Sequence, residues 1–325
     1  MQAIIIAGGK GTRIRPLSYG CPKPLLPMLG RPFLAWMVWR CVQAGITNIL
    51  INVHYQAQQV IDYFGNGSKW GAEINYIVEN EPLDTAGAIL VAQPKLTGET
   101  LLVFNADILT DLDLRQLIDW HKQHKADATL TLTRVTDIRP YGLVELAGDQ
   151  ILAFREKPND RQAEEFLARG INTINAGTYV LEPQIFQHYT TGEPLSFERV
   201  VFPQTLAYGY KITGFVWDGY WLDLGTPAKY YQGQLDILQG KLRIPWFDLQ
   251  EQAQEISPHI WTAKTANINS SAQLFAPCWI GHYSQIGANA VIPSGTIVGD
   301  YCLVDRPLSA GIYGNFSVFT NLENL

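Results

Sequence analysis

The chain begins with MQAIIIAGGKGTRIRPL (residues 1–17), and this stretch decides which fold to expect. A β-branched run at residues 4–6 leads directly into a glycine-rich segment that also carries Lys10 and Arg13. Glycine lets backbone N–H groups approach a phosphate closely, and a neighbouring cation supplies the countercharge. The pattern is neither G-x-G-x-x-G nor the Walker A loop G-x-x-x-x-G-K-[ST], so a dinucleotide-binding protein is not favoured. The opening predicts a first strand followed by an anion-binding loop.

The same alternation of apolar runs and helix-like segments continues to about residue 239. Apolar runs lie at residues 49–53, 74–78, 101–104 and 129–132, and helix-like segments lie at residues 32–44, 114–124 and 227–239. Continuous apolar strands between helices are typical of a parallel sheet that is covered on both faces. We therefore predict an α/β fold with a Rossmann-like, mixed but mostly parallel sheet, and a ligand beyond the carboxyl ends of its strands.

A six-residue period begins after residue 261. Its aliphatic positions are Ile268, Leu274, Ile280, Ile286, Ile292, Val298 and Val304, and two residues before each lies a small one: Ala266, Ala272, Cys278, Ser284, Ala290, Thr296 and Cys302. This period is typical of a parallel β-helix of hexapeptide repeats, whereas ordinary short strands would show period two and variable spacing. The array covers only two to three coils, so we expect it to pack against the first domain or a second subunit, in a homo-oligomer.

Composition excludes several classes of function. The 325 residues carry a formal net charge of −6 and are 47% hydrophobic, which argues against a protein that coats nucleic acid or an anionic membrane. No apolar run approaches the ~20 residues that span a bilayer, and the start lacks a basic leader. The four cysteines form no C-x-x-C pair, so we expect reduced thiols, no cysteine metal site and a cytoplasmic location.

Several motifs together resemble the signature of the sugar-1-phosphate nucleotidylyltransferases. They are GGKGTRIRPL (residues 8–17), PKPLLP (22–27), ENEPLDTAG (79–87), FNAD (104–107), FREKP (154–158), NAG (175–177) and GYWLDLGTP (219–227). The resemblance implies a catalytic domain over residues 1–240 and, after a connector at residues 241–261, a short left-handed parallel β-helix over residues 262–325. It also implies attack by a sugar 1-phosphate oxygen on the α-phosphate of a nucleoside triphosphate, with release of pyrophosphate.

The resemblance assigns roles to individual residues. Arg13 and Lys23 are expected to hold the triphosphate, and Asp107 and Asp223 to bind Mg²⁺, a cation that one or two carboxylates commonly hold together with phosphate oxygens. Alone, each aspartate would be read as a turn or cap residue. The implied nucleotide-binding set is Ala7, Gly8, Gly9, Gly11, Thr12, Arg13, Lys23, Glu79 and Gly87. The implied sugar-phosphate set is Gly142, Glu156, Lys157 and Asn175, although Glu156 and Lys157 in isolation would fit an exposed strand end.

Base and sugar are less sharply indicated. Pro24 stands where thymidylyl and uridylyl branches often carry glutamine, so the chain looks more like the guanylyl, cytidylyl and adenylyl branches. A carboxylate such as Glu79 can accept both adjacent donors of guanine, which favours GTP. For Glu81 a role in capping the next helix is equally good. Residues 62–88 look most like those of mannose-1-phosphate guanylyltransferases, with heptose-1-phosphate and glucose-1-phosphate enzymes as alternatives.

Two residues depart from the family pattern, because Ala106 and Asp84 stand where glycine is usual. A catalytically silent regulatory subunit of such an enzyme is a further alternative. An acyltransferase is disfavoured, because no histidine-containing loop interrupts the repeats. None of the six histidines is assigned to catalysis.

Overall fold

A computed structural model describes residues 1–155, 158–242 and 252–320. The chain forms two compact units. The first unit consists of Met1–Thr12, Ser18–Pro24 and Met37–Trp221, and the second of Arg13–Leu17, Leu25–Trp36 and Leu222–Leu325. Two short N-terminal segments therefore belong to the second unit, which a boundary drawn at residue 240 does not anticipate.

The chain contains short strands throughout and seven α-helices in the described residues. The strands are β1 Gln2–Ile6, β2 Pro27–Met28, β3 Arg31–Pro32, β4 Asn48–Val53, β5 Glu73–Val78, β6 Leu101–Asn105, β7 Ile108–Thr110, β8 Ala128–Arg134, β9 Leu143–Ala147, β10 Gln150–Arg155, β11 Thr173–Leu181, β12 Ile212–Val216, β13 Trp221–Asp223, β14 Ala253–Ser257, β15 Ile260–Ala263, β16 Asn267–Ile268, β17 Gln273–Leu274, β18 Cys278–Ile280, β19 Gln285–Ile286, β20 Val291–Ile292, β21 Thr296–Val298, β22 Leu303–Val304, β23 Gly311–Tyr313 and β24 Val318–Phe319. The helices are α1 Phe33–Gln43, α2 Ala57–Phe64, α3 Asp84–Ala92, α4 Leu114–His124, α5 Asp160–Ala168, α6 Phe202–Ala207 and α7 Pro227–Leu238, and a π-helical turn, Phe197–Val201, precedes α6.

The first unit is built on a nine-stranded sheet in the order β5-β4-β1-β6-β11-β8-β12-β10-β9. Strands β5, β4, β1 and β6 are all parallel, so their carboxyl ends share one edge. Beyond β6 the sheet is mainly antiparallel, since β11 runs against both of its neighbours and β10 against both of its own. The prediction of a mostly parallel sheet is therefore right for the N-terminal half only. Apolar runs between helices do not report the direction of a partner strand.

Helix α4 shows how local signals place an element. It begins at Leu114 and ends at His124, as predicted. The Asp113 side chain accepts hydrogen bonds from the backbone N–H groups of Arg115 and Gln116, which satisfies two donors that lack helical partners. Lys125 ends the helix in the left-handed conformation.

The C-terminal part of the second unit forms three parallel ladders, β15-β18-β21-β23, β16-β19-β22-β24 and β17-β20. Paired residues lie 18 positions apart, as Cys278 does from Thr296 and Leu274 from Ile292. The aliphatic positions of the six-residue period belong to one apolar cluster, in which Ile280 and Val298 are fully buried. The predicted interior stack is confirmed.

Two features of the ladders differ from the expectation. Strand β14, within the predicted connector, pairs antiparallel with β15 at the edge of the first ladder. Residues 243–251 of that connector lie outside the described residues. At the other end the offset falls from 18 to 15, because Val304 pairs with Phe319 and Thr296 with Gly311. The aliphatic repeat stops at Val304, so the period alone could not locate this last coil. The predicted C-terminal tail at residues 321–325 lies outside the described residues as well.

Helix α7 packs within the same unit. The Tyr231 hydroxyl donates a hydrogen bond to the Gly295 carbonyl, and the Gln234 side chain accepts one from Leu29 N–H at 3.3 Å. None of the four cysteines forms a disulfide. Among the helices of the described residues, none is both long and apolar enough to cross a membrane.

Candidate active site

A cavity of about 290 Å³ lies at the carboxyl edge of β1, β4 and β6 in the first unit. Backbone hydrogen bonds extend the sheet into the loops around it: Ala7 N–H donates to Asn52 O, and Ala106 N–H donates to Ile6 O, both at 3.0 Å. The lining residues are Ile6, Ala7, Gly8, Gly9, Lys23, Pro24, Asn52, Glu79, Pro82, Asp84, Thr85, Asn105, Ala106 and Asp107. The predicted location of a ligand is thus a real cavity.

The glycine-rich loop forms one wall of this cavity. A Cβ atom on Gly8 would lie 2.8 Å from Asn52 Oδ1 and 3.0 Å from Glu79 Oε2, so only glycine fits there. A Cβ atom on Gly9 would meet nothing within 4 Å. Gly11 adopts φ +59, and its carbonyl accepts a hydrogen bond from Ser18 Oγ at 2.7 Å, which closes the loop.

Four members of the predicted nucleotide-binding set do not line the cavity, namely Gly11, Thr12, Arg13 and Gly87. For Gly87 the structure shows a packing reason: a Cβ atom there would lie 2.9 Å from Leu83 Cβ and 3.0 Å from the Glu193 carbonyl. The close approach of residues 193–195 therefore explains why position 87 is a glycine.

Lys23 and Asp107 come together across 84 positions of sequence. Lys23 Nζ lies 2.7 Å from Asp107 Oδ2, and the two side chains are 14% and 28% exposed. Both line the cavity. Lys23, predicted to hold phosphate, thus neutralises Asp107, predicted to hold a metal ion. A polyanion could replace Asp107 as the partner of Lys23, and a divalent cation could replace Lys23 as the partner of Asp107.

Three buried polar atoms that line the cavity have no hydrogen-bond partner: Glu79 Oε1, Asn52 Nδ2 and Asn105 Oδ1. Glu79 is only 7% exposed, and burial raises the pKa of its carboxyl, an effect that the neighbouring Asn52 side chain and the Leu83 backbone oppose. Buried polar groups are nearly always paired. A ligand with both donors and acceptors would complete this wall. Sequence reasoning missed Asn52, which lies in no recognisable motif, and gave no role to Asn105, although this residue belongs to the FNAD motif at the end of β6.

Glu81 does not cap helix α3. The helix begins at Asp84, and no side chain caps it at Leu83. Instead, Asp84 Oδ1 accepts a hydrogen bond from Thr85 N–H at 2.8 Å. The capping alternative for Glu81 is therefore wrong, and its side chain is exposed.

A polar network behind the cavity reaches Asn175. The Asn175 amide donates to the Tyr179 hydroxyl at 2.8 Å, and that hydroxyl donates to Glu198 Oε1 at 3.4 Å. Thr85 Oγ1, on the cavity wall, donates to Glu198 Oε2 at 3.2 Å. Burial raises the pKa of Tyr179 well above its ordinary value, so it stays protonated. Glu198 was missed, and its only signal is that it interrupts the apolar run FERVVF (residues 197–202).

The rest of the predicted sugar side lies at the far strands of the sheet. Gly142 precedes β9, and a Cβ atom on it would lie 3.8 Å from the Arg155 carbonyl at the end of β10. Strand β11, which carries Asn175, pairs with β9 between Ile174 and Leu143. Glu156 and Lys157, which follow Arg155 directly, lie outside the described residues.

In the second unit, Arg13 and Asp223 are neighbours. Asp223 Oδ2 lies 3.9 Å from Arg13 Nη1 and 3.7 Å from Lys229 Nζ, and Asp223 Oδ1 is buried without a partner. A Cβ atom on Gly225 would lie 2.8 Å from Asp223 Oδ1 and 3.1 Å from Arg13 Cζ, so this glycine makes room for the pair. Lys229 was not singled out by the sequence.

The described residues do not favour a metal site made of side chains alone or a cysteine nucleophile. They contain no group of three or more His, Cys, Asp or Glu side chains that could hold a metal ion by themselves. Burial raises the pKa of the Cys41 and Cys278 thiols to about 12, so neither is a nucleophile near neutral pH. A site that needs substrate oxygens to complete a metal shell remains compatible with this chain.

Comparisons with known proteins agree with this geometry. Residues 2–240 match the model of the nucleotidyl transferase family. A mannose-1-phosphate guanylyltransferase of Mycobacterium tuberculosis is 37% identical over 94% of this chain and 83% of its own. A D-glycero-alpha-D-manno-heptose 1-phosphate guanylyltransferase of Aneurinibacillus thermoaerophilus is 34% identical over 73% of this chain and 98% of its own. The crystal structure of HddC from Yersinia pseudotuberculosis complexed with GMP-PN has a TM-score of 0.59 and 28% identity, over 72% of this chain and 97% of that one.

Proposed function

The chain belongs to the nucleotidyl transferase family, and from this premise we propose that it transfers a guanylyl group from GTP to mannose 1-phosphate, giving GDP-mannose and pyrophosphate. The broader activity, that of a sugar-1-phosphate nucleotidylyltransferase, follows from the family match and from relatives that align with most of the chain. The base, the sugar and the metal ion are the parts that we propose.

The observation that carries the choice of base is the unpartnered, buried Glu79 Oε1 in the cavity wall. Guanine presents N1–H and the 2-amino group side by side, and one ionised carboxylate can accept from both. Adenine and cytosine present a donor beside an acceptor, and uracil and thymine present one N–H between two carbonyls. Guanine is thus the base that pairs with an acceptor-only group. The HddC complex with GMP-PN supports the same choice.

The phosphate chemistry falls to the cations and the glycine-rich loop. A sugar 1-phosphate oxygen forms a bond to the α-phosphorus as the α–β bridging bond breaks, and pyrophosphate leaves with that electron pair. Because both reactants are polyanions, positioning and charge neutralisation are the main requirements. Lys23 beside the loop, and Arg13 by resemblance, meet them. No side-chain nucleophile is needed.

We propose Mg²⁺ as the cofactor, held by Asp107 and Asp223. Both side chains supply hard oxygen donors, and Asp223 Oδ1 is buried without a partner. Mg²⁺ would neutralise charge on the triphosphate and orient the α-phosphate. With Mg²⁺ held there, Lys23 would no longer be needed to neutralise Asp107 and could contact phosphate oxygens.

The sugar side is assigned by resemblance to Gly142, Glu156, Lys157 and Asn175. Heptose 1-phosphate and glucose 1-phosphate remain the alternative substrates, and the relative from Aneurinibacillus supports the first of these. A non-catalytic regulatory subunit is disfavoured, because Arg13, Lys23, Asp107 and Asp223 are all present.

For the C-terminal ladders we propose a left-handed parallel β-helix that mediates assembly into a homo-oligomer. The 18-residue offset between paired residues and the small residues two positions before each aliphatic one support a coil of three hexapeptides. We also propose that the chain works in the cytoplasm, where its substrates would be available. Unpaired cysteines are consistent with that compartment.

A substrate panel tests the proposed function. Pyrophosphate release is measured with ATP, CTP, GTP, UTP and dTTP, each against mannose, glucose and heptose 1-phosphates, with and without Mg²⁺. The fastest release is expected for GTP with mannose 1-phosphate, and chelation of Mg²⁺ should abolish it. A faster reaction with another pair would reassign the specificity, and no release with any pair would favour the regulatory subunit.

A further inference from the structure

Asp84 occupies an unusual backbone position on the cavity wall. Its φ is +62, in the left-handed region that favours glycine over residues with a side chain. Its carboxylate makes two contacts: Oδ1 accepts from Thr85 N–H at 2.8 Å, and Oδ2 forms an ion pair with Arg199 Nη2. Asp84 therefore presents a carboxylate, on a backbone position that favours glycine, to a cavity in which we propose that a polyanion binds.

Arg199 is placed beside Asp84 by backbone hydrogen bonds. It belongs to the π-helical turn Phe197–Val201, and Phe197 N–H donates to Thr85 Oγ1 at 2.9 Å. Just before this turn, Leu195 N–H donates to Leu83 O at 2.9 Å, and Leu195 O accepts from Ala86 N–H at 2.8 Å. The guanidinium is thus held against the cavity wall by the segment that carries it.

The ion pair is not explained by stability. The Arg199 side chain is 67% exposed and that of Asp84 29% exposed, and pairs so close to solvent contribute little to folding. Its charge matters more to a ligand. Lys23, the lysine in the cavity wall, is paired with Asp107 here and is proposed to contact phosphate oxygens when Mg²⁺ is bound, so it does not offset Asp84 in either case. An unmasked Asp84 would therefore add uncompensated negative charge beside a triphosphate.

We infer that Arg199 is a positioning residue that masks the charge of Asp84 and holds its carboxylate away from the bound nucleotide. The inference rests on the proposed function, since it requires a triphosphate in the cavity. Arg199 need not touch the substrate. Its effect passes through Asp84.

The test combines Arg199→Gln with Asp84→Asn, which keeps the side-chain shape and the acceptor for Thr85 N–H but removes the charge. Arg199→Gln should raise KM for GTP about three- to tenfold with kcat unchanged, and high salt should shrink this rise. In the Asp84→Asn background the same change should have no effect on KM. Arg199→Lys should restore most of the affinity, and Arg134→Gln, which breaks the exposed Arg134–Asp218 pair, is the matched control with unchanged KM.

Thermal unfolding checks that each variant is folded. An unchanged KM in Arg199→Gln, an equal rise in the Asp84→Asn background, or a rise that salt does not reduce would each overturn the inference. Calorimetric binding of GTP gives the same comparison without turnover. If the wild type releases no pyrophosphate, the proposed function fails, while the binding pattern still decides the role of Arg199.

Discussion

The carboxyl edge of the first-unit sheet and the C-terminal ladders are both made of parallel strands, yet they treat buried polar atoms in opposite ways. In the ladders, buried hydroxyls are paired: Ser284 Oγ donates to Gly299 O at 2.8 Å and Thr296 Oγ1 to Pro293 O at 2.7 Å. Over the described residues 252–320, no buried side-chain oxygen or nitrogen lacks a partner. At the sheet edge, Glu79, Asn52 and Asn105 each carry a buried polar atom without a hydrogen-bond partner.

This difference separates a scaffold from a site. Unpaired buried polar atoms cost free energy, so a fold retains them where a ligand completes them. The ladders have no such atoms and repeat one aliphatic position, which is what stability requires. At the sheet edge, the unpaired polar atoms lower the stability of the fold, and they are available to the nucleotide that we propose as the ligand. Changes at the edge should therefore affect turnover and affinity, whereas changes in the ladders should affect folding.

The largest effect is expected for Asp107→Asn. Loss of the carboxylate removes the proposed metal ligand and leaves Lys23 without its partner, so kcat should fall about 1,000-fold while the unfolding temperature changes little. Pyrophosphate release measures this. The control is Asp218→Asn at the exposed Arg134 pair, which should keep full activity. Near-normal turnover of Asp107→Asn would remove this residue from the metal site.

In the ladders, Ile292→Ala should show the reverse pattern. Ile292 is fully buried, so the cavity left behind should lower the free energy of unfolding by about 3 kcal/mol, with kcat per folded molecule unchanged. Urea denaturation followed by tryptophan fluorescence gives this value. Val318→Ala is the exposed counterpart, at 53% exposure, and should stay within about 0.5 kcal/mol of the wild type. Equal losses in both variants would contradict an interior stack.

Glu79→Gln tests recognition of the base. The amide presents a donor where guanine needs an acceptor, so KM for GTP should rise about tenfold or more. The ratio of kcat/KM for GTP to that for inosine triphosphate, which lacks the 2-amino group, should fall toward one. Glu81→Gln, at an exposed neighbouring position, is the control. A preference for GTP that survives in Glu79→Gln would assign the base to another residue.

The smallest effect concerns pH and stability. Burial raises the pKa of the Glu79 carboxyl in the folded chain above its value in the unfolded chain, about 4.3. The folded state therefore keeps the Glu79 proton up to a higher pH than the unfolded state does. The free energy of unfolding of the wild type should fall relative to that of Glu79→Gln as pH rises from about 4.3 through the raised pKa, and should then level off. Thermal unfolding of both proteins across this range measures the difference. A constant difference would mean that Glu79 is not desolvated.

Much of the site could be predicted because its residues lie in short motifs beside strand ends. Lys23 and Asp107 are an example: each follows from a local motif, and the parallel strand order then brings them within 2.7 Å. Asn52 and Glu198 could not be found in this way, and the FNAD motif gave no sign of what Asn105 does. Their roles depend on which of their atoms are paired after packing and which are not, a property of the neighbours rather than of the residue itself.

By itself the sequence determined the first strand and its glycine-rich loop, the bounds of α4 and the aliphatic interior of the ladders. These features depend on side-chain periodicity and on the conformational freedom of single residues, which are local. Only the tertiary structure decided the antiparallel half of the sheet, the shortened last coil and the placement of Arg199 against Asp84. Each of these depends on hydrogen bonds between segments far apart in the chain, and no local period encodes which distant partner satisfies a given backbone group.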